Sequence, residues 1–412
     1  MVCDLLIRNC KALVQVRPET LYFLAGQSMA DLPVLPDAFL AITQGRILDY
    51  GPMTACNFVG AEELDASGCF VFPSFVDSHT HLVYAASREA EFVLKIKGAT
   101  YQEIAASGGG ILNSAARVHS MSEDELLEKS LPRAWEIIRT GTGAVEIKSG
   151  YGLAVRDEIK MLRVARKIGA LTPLIVKTTF LGAHAVPARV SKNAYVREVI
   201  EEMIPAVAAE NLADYIDVFC ETGFFSPHET EEIIEQGKRY GLQPRIHANQ
   251  LARSGGVQVG VKVGAVSVDH LEHIGDEEIA ALWGCPIMPT VLPGAAFFLN
   301  LPFPPARAML QAGLPVAIAS DYNPGSSPTG NMPLMLSLAC IKMKLTPEEA
   351  INAATVNTAW SLGLLNAVGS ITRGKIANVF ITRPMPSLAF LPYAFGTPCV
   401  DEVILNGKRL SR

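Results

Sequence analysis

Residues 71–81 read VFPSFVDSHTH, an apolar run that stops at Asp77 and ends in His79-Thr80-His81. The pattern recurs along the middle of the chain: a short apolar run, several of them β-branched, closed by a polar or glycine-rich cluster. Eight such runs stand at 71–76, 144–147, 175–180, 216–219, 244–246, 266–268, 286–291 and 315–319. Stretches of helical composition follow most of them. Eight strands alternating with helices predict an α/β fold, a (β/α)8 TIM-like barrel spanning 71–368. Helix starts fit this reading. Ser122-Glu123-Asp124-Glu125 is a capping box, and Thr346-Pro347-Glu348-Glu349 is another with proline at the first helical position. Over 229–240, helical spacing puts Ile233, Ile234 and Tyr240 on one side.

The flanks read differently. Residues 2–7 form a strand, and 38–42 and 47–50 form a hairpin around Gln44-Gly45-Arg46. Residues 376–381 and 400–405 echo this, the second followed by Asn406-Gly407-Lys408, a strong hairpin signal. The two ends, 1–70 and 369–412, are therefore expected to pair into one small β-sandwich domain with the barrel inserted between them.

Composition narrows the function. Of 412 residues, 49% are hydrophobic and 18% charged, which excludes a disordered chain. A net charge of −6 without a basic block makes a poor binder of nucleic acid or anionic membrane. No apolar run approaches the roughly 18 residues of a membrane span. No secretory signal is evident, and the eight cysteines are scattered without a CxxC, as in a reduced cytoplasmic protein.

The chemistry sits where the apolar runs end. Six of the eight histidines (79, 81, 184, 247, 270 and 273) lie at or just after such ends, where barrels carry catalytic groups. His79 and His81 are two apart on a strand and face the same way, so both imidazoles reach one cation. With His247 and Asp321 at other strand ends they make a metal site. His273 is expected to be exposed on the loop after the sixth run. The Gly108–Gly110 run lacks GxGxxG spacing and is read as a loop, not a phosphate cradle.

This constellation resembles the amidohydrolase superfamily, which carries HxH on strand 1, often Lys or Glu on strand 4, His on strands 5 and 6, and Asp on strand 8. That resemblance also implies the composite terminal β domain. The fourth run here is followed by Cys220-Glu221-Thr222-Gly223 and no lysine. A binuclear site needs a bridging carboxylate. Glu221 is the available candidate, but a single metal on His79, His81, His247 and Asp321 is expected. Lys148, after the second run, is read as a structural or rim charge.

Longer segments resemble one group within that superfamily, the imidazolonepropionases: 77–83 (DSHTHLV), 87–92 (SREAEF), 108–111 (GGGI), 146–153 (EIKSGYGL), 179–187 (TFLGAHAVP), 219–224 (FCETGF) and 320–328 (SDYNPGSSP). The resemblance implies hydrolysis of the cyclic amide of 4-imidazolone-5-propanoate to N-formimidoyl-L-glutamate in histidine degradation. It implies Arg88 and Tyr101 on the propanoate, and Tyr151 and His184 against the ring. Asn323, Gly325 and Ser326 would face the formimidoyl-glutamate end. Asp321 would be metal ligand and proton carrier, with His270 helping at the oxyanion. Zinc or iron is expected, a homodimer is the expected assembly, and no partner beyond the small-molecule substrate. One position departs. Some members carry an acidic residue where Gln250 stands. Glutamine cannot take a proton, so Gln250 is read as a substrate contact. The alternatives are a heterocycle deaminase or other cyclic amidohydrolase of the same superfamily, and a catalytically silent barrel.

Overall fold

The computed structural model describes residues 1–19, 22–99, 103 and 109–410. Its strands run β1 (Val2–Val14), β2 (Val34–Thr43), β3 (Arg46–Pro52), β4 (Val59–Asp65), β5 (Phe70–Pro73), β6 (Phe75–Asp77), β7 (Thr142–Lys148) and β8 (Ile175–Ala183). They continue as β9 (Tyr215–Cys220), β10 (Gln243–Ala248), β11 (Ser267–His270), β12 (Met288–Val291), β13 (Ala317–Ile318), β14 (Val379–Thr382), β15 (Val400–Leu405) and β16 (Lys408–Arg409).

Strands β6 to β13 form one eight-stranded parallel sheet in sequence order. Its two edges meet just past the strand ends. Asp321 N donates to His79 O and His81 N to Tyr322 O, each at 3.0 Å. Asp77, whose carboxyl burial pushes up to about 7, accepts from Ser320 N at 3.0 Å and from the Ser320 hydroxyl. The closure is therefore made by the segments that carry His79, His81 and Asp321. The helices Glu123–Arg139 and Pro347–Asn352 start on the expected capping boxes at Ser122 and Thr346.

The chain ends make a second, mixed sheet of eight strands in the order β16-β15-β14-β5-β1-β2-β3, with β4 paired to β1. Both hairpins turn on left-handed residues, Gln44-Gly45 and Asn406-Gly407. Their own cluster of buried side chains includes Leu5, Ile7, Leu40, Ile42, Val379 and Ile404.

Two expectations change. The apolar run 71–76 is two strands, not one: β5 belongs to the terminal sheet and β6 to the barrel, with Ser74 alone between them. Both are buried on both faces, so composition does not mark the break. The helix over 229–240 is Pro227–Arg239, and Tyr240 is exposed just past its end rather than packed beside Ile233 and Ile234. No helix among the described residues is long and apolar enough to cross a membrane.

The barrel interior is ionic as well as apolar. Glu146 and Lys148 on β7, Asp217 on β9, Arg245 on β10 and Asp269 on β11 are all buried to within 1% exposure. The Lys148 ammonium lies 2.8 Å from Glu146 and 2.9 Å from Asp217. Lys148 is thus a structural charge of the lumen, not of the rim.

Candidate active site

Three imidazoles and one carboxylate converge at the C-terminal end of the barrel. His81 Nε2 is 3.4 Å from His247 Nε2 and 3.6 Å from Asp321 Oδ1. His79 Nε2 is 3.7 Å from the same oxygen and, though buried, has no hydrogen-bond partner among the described residues. Such spacings suit donors arranged about one ion at roughly 2.0–2.2 Å. The far ring nitrogens are held by carboxylates: His79 Nδ1 by Asp269 at 2.7 Å and His247 Nδ1 by Asp217 at 2.9 Å. At His79 the hydrogen bond to Asp269 fixes the proton on Nδ1 and turns the Nε2 lone pair inward, as metal-binding histidines require, and the Asp217 carboxylate beside His247 Nδ1 favours the same tautomer there. Burial pushes His79 and His81 well below the usual imidazole range, so both are neutral donors. The residues fit a divalent metal ion. Glu221 stands apart, accepting from Thr222 N and Leu251 N.

His270 borders the same centre, with a ring nitrogen within 4.8 Å of donors from His79 and His247. Burial works against its protonation, but Glu272, 3.5 Å from Nδ1, and the nearby Asp321 and Asp269 raise its pKa above the ordinary value. Asp321 is pushed up by burial to about 6, against the pull of His270 and of hydrogen bonds involving Ser326 and Asn323. Asn249, His270 and Asp321 all adopt left-handed backbone, φ +56°, +86° and +54°. For residues other than glycine that conformation is strained, and it re-aims side chains where strands end.

Above this cluster of donors lies a cavity that Arg88, Tyr151, His184 and Gln250 line. His184 Nδ1 donates to Gly150 O at 3.0 Å, which leaves Nε2 as an acceptor, and burial drops its pKa to about 3. Gly150, at φ +110°, has no room for a side chain, since a Cβ would sit 2.8 Å from that nitrogen. Tyr151 is buried with its ring 5.4 Å from that of His184. Arg88 donates through Nε and Nη2 to Glu91 at 2.8 and 2.6 Å. Asn323 accepts from Gly325 N and Ser326 N at 2.8 Å each, and the Ser326 hydroxyl donates to Asp321 Oδ2 at 3.0 Å. The loop after β13 therefore spends much of its polarity on its own turn while Asn323, Gly325 and Ser326 still line the cavity. His273 is only half-buried, and Tyr101 and Gly108 lie outside the described residues.

Sequence reasoning missed Asp217, Asp269, Glu272 and Lys95. Asp217 sits inside the otherwise apolar strand β9, and a carboxylate in such a run was the available signal; Asp269 lies just past its apolar run, in β11, in register with His247.

The amidohydrolase family profile matches residues 70–410. The imidazolonepropionase of Flavobacterium johnsoniae is 51% identical over 406 residues, 98% of this chain and 99% of that protein. That of Thermoanaerobacter pseudethanolicus is 40% identical over 406 residues, covering 98% and 97%. The chain belongs to the imidazolonepropionase family of amidohydrolases. Among solved structures, a zinc-bound adenosine deaminase from Xanthomonas campestris is similar with TM-score 0.73 at 19% identity, covering 99% of this chain and 93% of that one. The guanine deaminase of E. coli gives 0.72 at 15%, covering 98% and 99%. Those two likenesses are of fold. In this imidazolonepropionase-family chain Gln250 is buried to 8% exposure at the cavity wall, on the loop after β10.

Proposed function

We propose that the chain hydrolyses the cyclic amide of 4-imidazolone-5-propanoate to N-formimidoyl-L-glutamate, with one zinc or iron ion on His79, His81, His247 and Asp321. The observation that carries this reading is one cavity with a metal-competent His/Asp cluster at its floor and the Arg88 cation at its wall. The barrel, whose strands are β6 to β13, carries the chemistry on this reading, and the terminal sheet, β5 included, supports it. A bound ion supplies Lewis acidity, lowering the pKa of water towards about 7 and polarising a carbonyl. Asp321 takes the proton of the attacking water as oxygen joins the ring carbonyl carbon. It returns that proton to the ring nitrogen as the C–N bond breaks. Protonated His270 donates to the developing oxyanion. Tyr151 and His184 flank the planar ring, and Gln250 hydrogen-bonds it. Arg88, with Tyr101, holds the propanoate, and Asn323, Gly325 and Ser326 meet the formimidoyl-glutamate end as it forms. A nucleobase offers Arg88 no carboxylate, which disfavours a deaminase. Loss of imidazolone-propanoate absorbance with purified, metal-loaded protein tests the reading. Deamination of a purine without that loss would replace it.

Two results are expected here. Elemental analysis finds one equivalent of metal per chain, because no carboxylate bridges to a second position. Two tightly held equivalents would overturn this and bring Glu221 in. Arg88→Met raises KM about ten- to a hundredfold with little change in kcat, since the propanoate is held alike in ground and transition states. An unchanged KM would remove the carboxylate assignment.

A further inference from the structure

Arg88 does not face the cavity with its whole guanidinium. Its Nε/Nη2 edge, the one that grips a carboxylate in parallel, is already on Glu91 Oε2. Glu91 is itself committed, since Oε1 accepts from Gly110 N at 3.0 Å and from Asn113 at 3.4 Å. What remains for a ligand is chiefly the Nη1 side, which points at Gly325. A Cβ at Gly325 would lie 2.3 Å from Nη1.

A second cation stands at the same place. Arg88 caps the helix Glu89–Ile96. Glu91 and Lys95, three and seven residues on, share its face of that helix. Lys95 Nζ donates to Gly325 O at 3.1 Å and lines the cavity beside Arg88. Among the described residues it makes no ion pair. With one carboxylate spent on one of two cations, this end of the cavity keeps an excess positive charge. Burial and the neighbouring Arg88 also hold Lys95 below the usual lysine range, so the charge gains from an incoming anion. An ammonium has three protons, and Gly325 O takes one.

We propose that Lys95 is a specificity-determining residue that binds the substrate's carboxylate together with Arg88, one oxygen to each cation. The assignment rests on the substrate class proposed above. It makes the cavity select an anionic side chain over an uncharged one of the same shape.

The test compares imidazolone-propanoate with the matching imidazolone-propanamide in wild type, Lys95→Met and Lys95→Arg, all metal-loaded. Lys95→Met is expected to raise KM for the carboxylate about ten- to a hundredfold, the span of one charge-assisted contact, with kcat nearly kept. KM for the amide should barely move, and Lys95→Arg should stay within a few fold of wild type. An unchanged carboxylate KM overturns the assignment. So does an equal rise for both compounds, which would mean that Lys95 only braces the Gly325 loop. Wild-type protein that turns over neither compound sinks the substrate class and this assignment with it. An active wild type with an indifferent Lys95→Met sinks the assignment alone.

Discussion

Asp321→Asn is expected to lower kcat by at least about 10²–10⁴, the range for loss of a general acid–base group, in protein that retains its metal. The substitution keeps an oxygen facing His79 and His81, 3.7 and 3.6 Å away, so the donor cluster survives in shape. On the proposed mechanism it removes the carboxylate, beside Ser326, that accepts water's proton. The control is Gln250. Gln250→Ala should cost one hydrogen bond to the ring, about 0.5–1.5 kcal/mol, read in KM. Gln250→Glu should leave substantial activity. Metal content is measured on each variant before kinetics. Near-normal kcat in Asp321→Asn, with turnover abolished in Gln250→Ala, would reverse the two roles.

Lys148→Met is expected to destabilise the fold by about 3–5 kcal/mol, because it strands two buried carboxylates. Burial opposes the Lys148 charge, but Asp217 and Glu146 raise its pKa above the usual lysine range. Against burial, His247 and the same ammonium hold Asp217 ionised, and Asp217 lies 2.9 Å from His247 Nδ1. Metal affinity should therefore fall as well, by about 10–100-fold, as when an outer partner of a ligand is lost. Urea unfolding of the metal-free protein reads the first effect. Competition with a chromophoric chelator reads the second. Wild-type stability and affinity together would show that the lumen tolerates Glu146 and Asp217 without the Lys148 cation, Arg245 alone sufficing.

The barrel was readable because its parallel strands are covered on both faces and so appear as plain apolar runs. The site was readable for a related reason: a histidine or aspartate just past such a run has few places to point but the mouth. His79, His81, His247, His270 and Asp321 all follow that logic. What stayed hidden is pairing across strands. Asp269 serves His79 from 190 residues away, and nothing local announces which histidine a buried carboxylate will meet. Lys95 was hidden for another reason. The helix Glu89–Ile96 leaves Phe92, Val93, Leu94 and Ile96 exposed. No apolar stripe then indicates which way its charged face turns.

The single residue between β5 and β6 has a consequence for how the chain reaches this state. β5 is completed only by β14, and Phe70 N donates to Thr382 Oγ1 across 312 residues of sequence. Yet β5 runs almost directly into the strand that delivers His79 and His81. During synthesis the first barrel strand is therefore tethered to a sheet still missing one neighbour until nearly the whole chain has emerged. Contacts of such range are slow to form, so the metal-binding end should mature late, with the barrel's first strand clamped in place only when the β14–β15 segment docks.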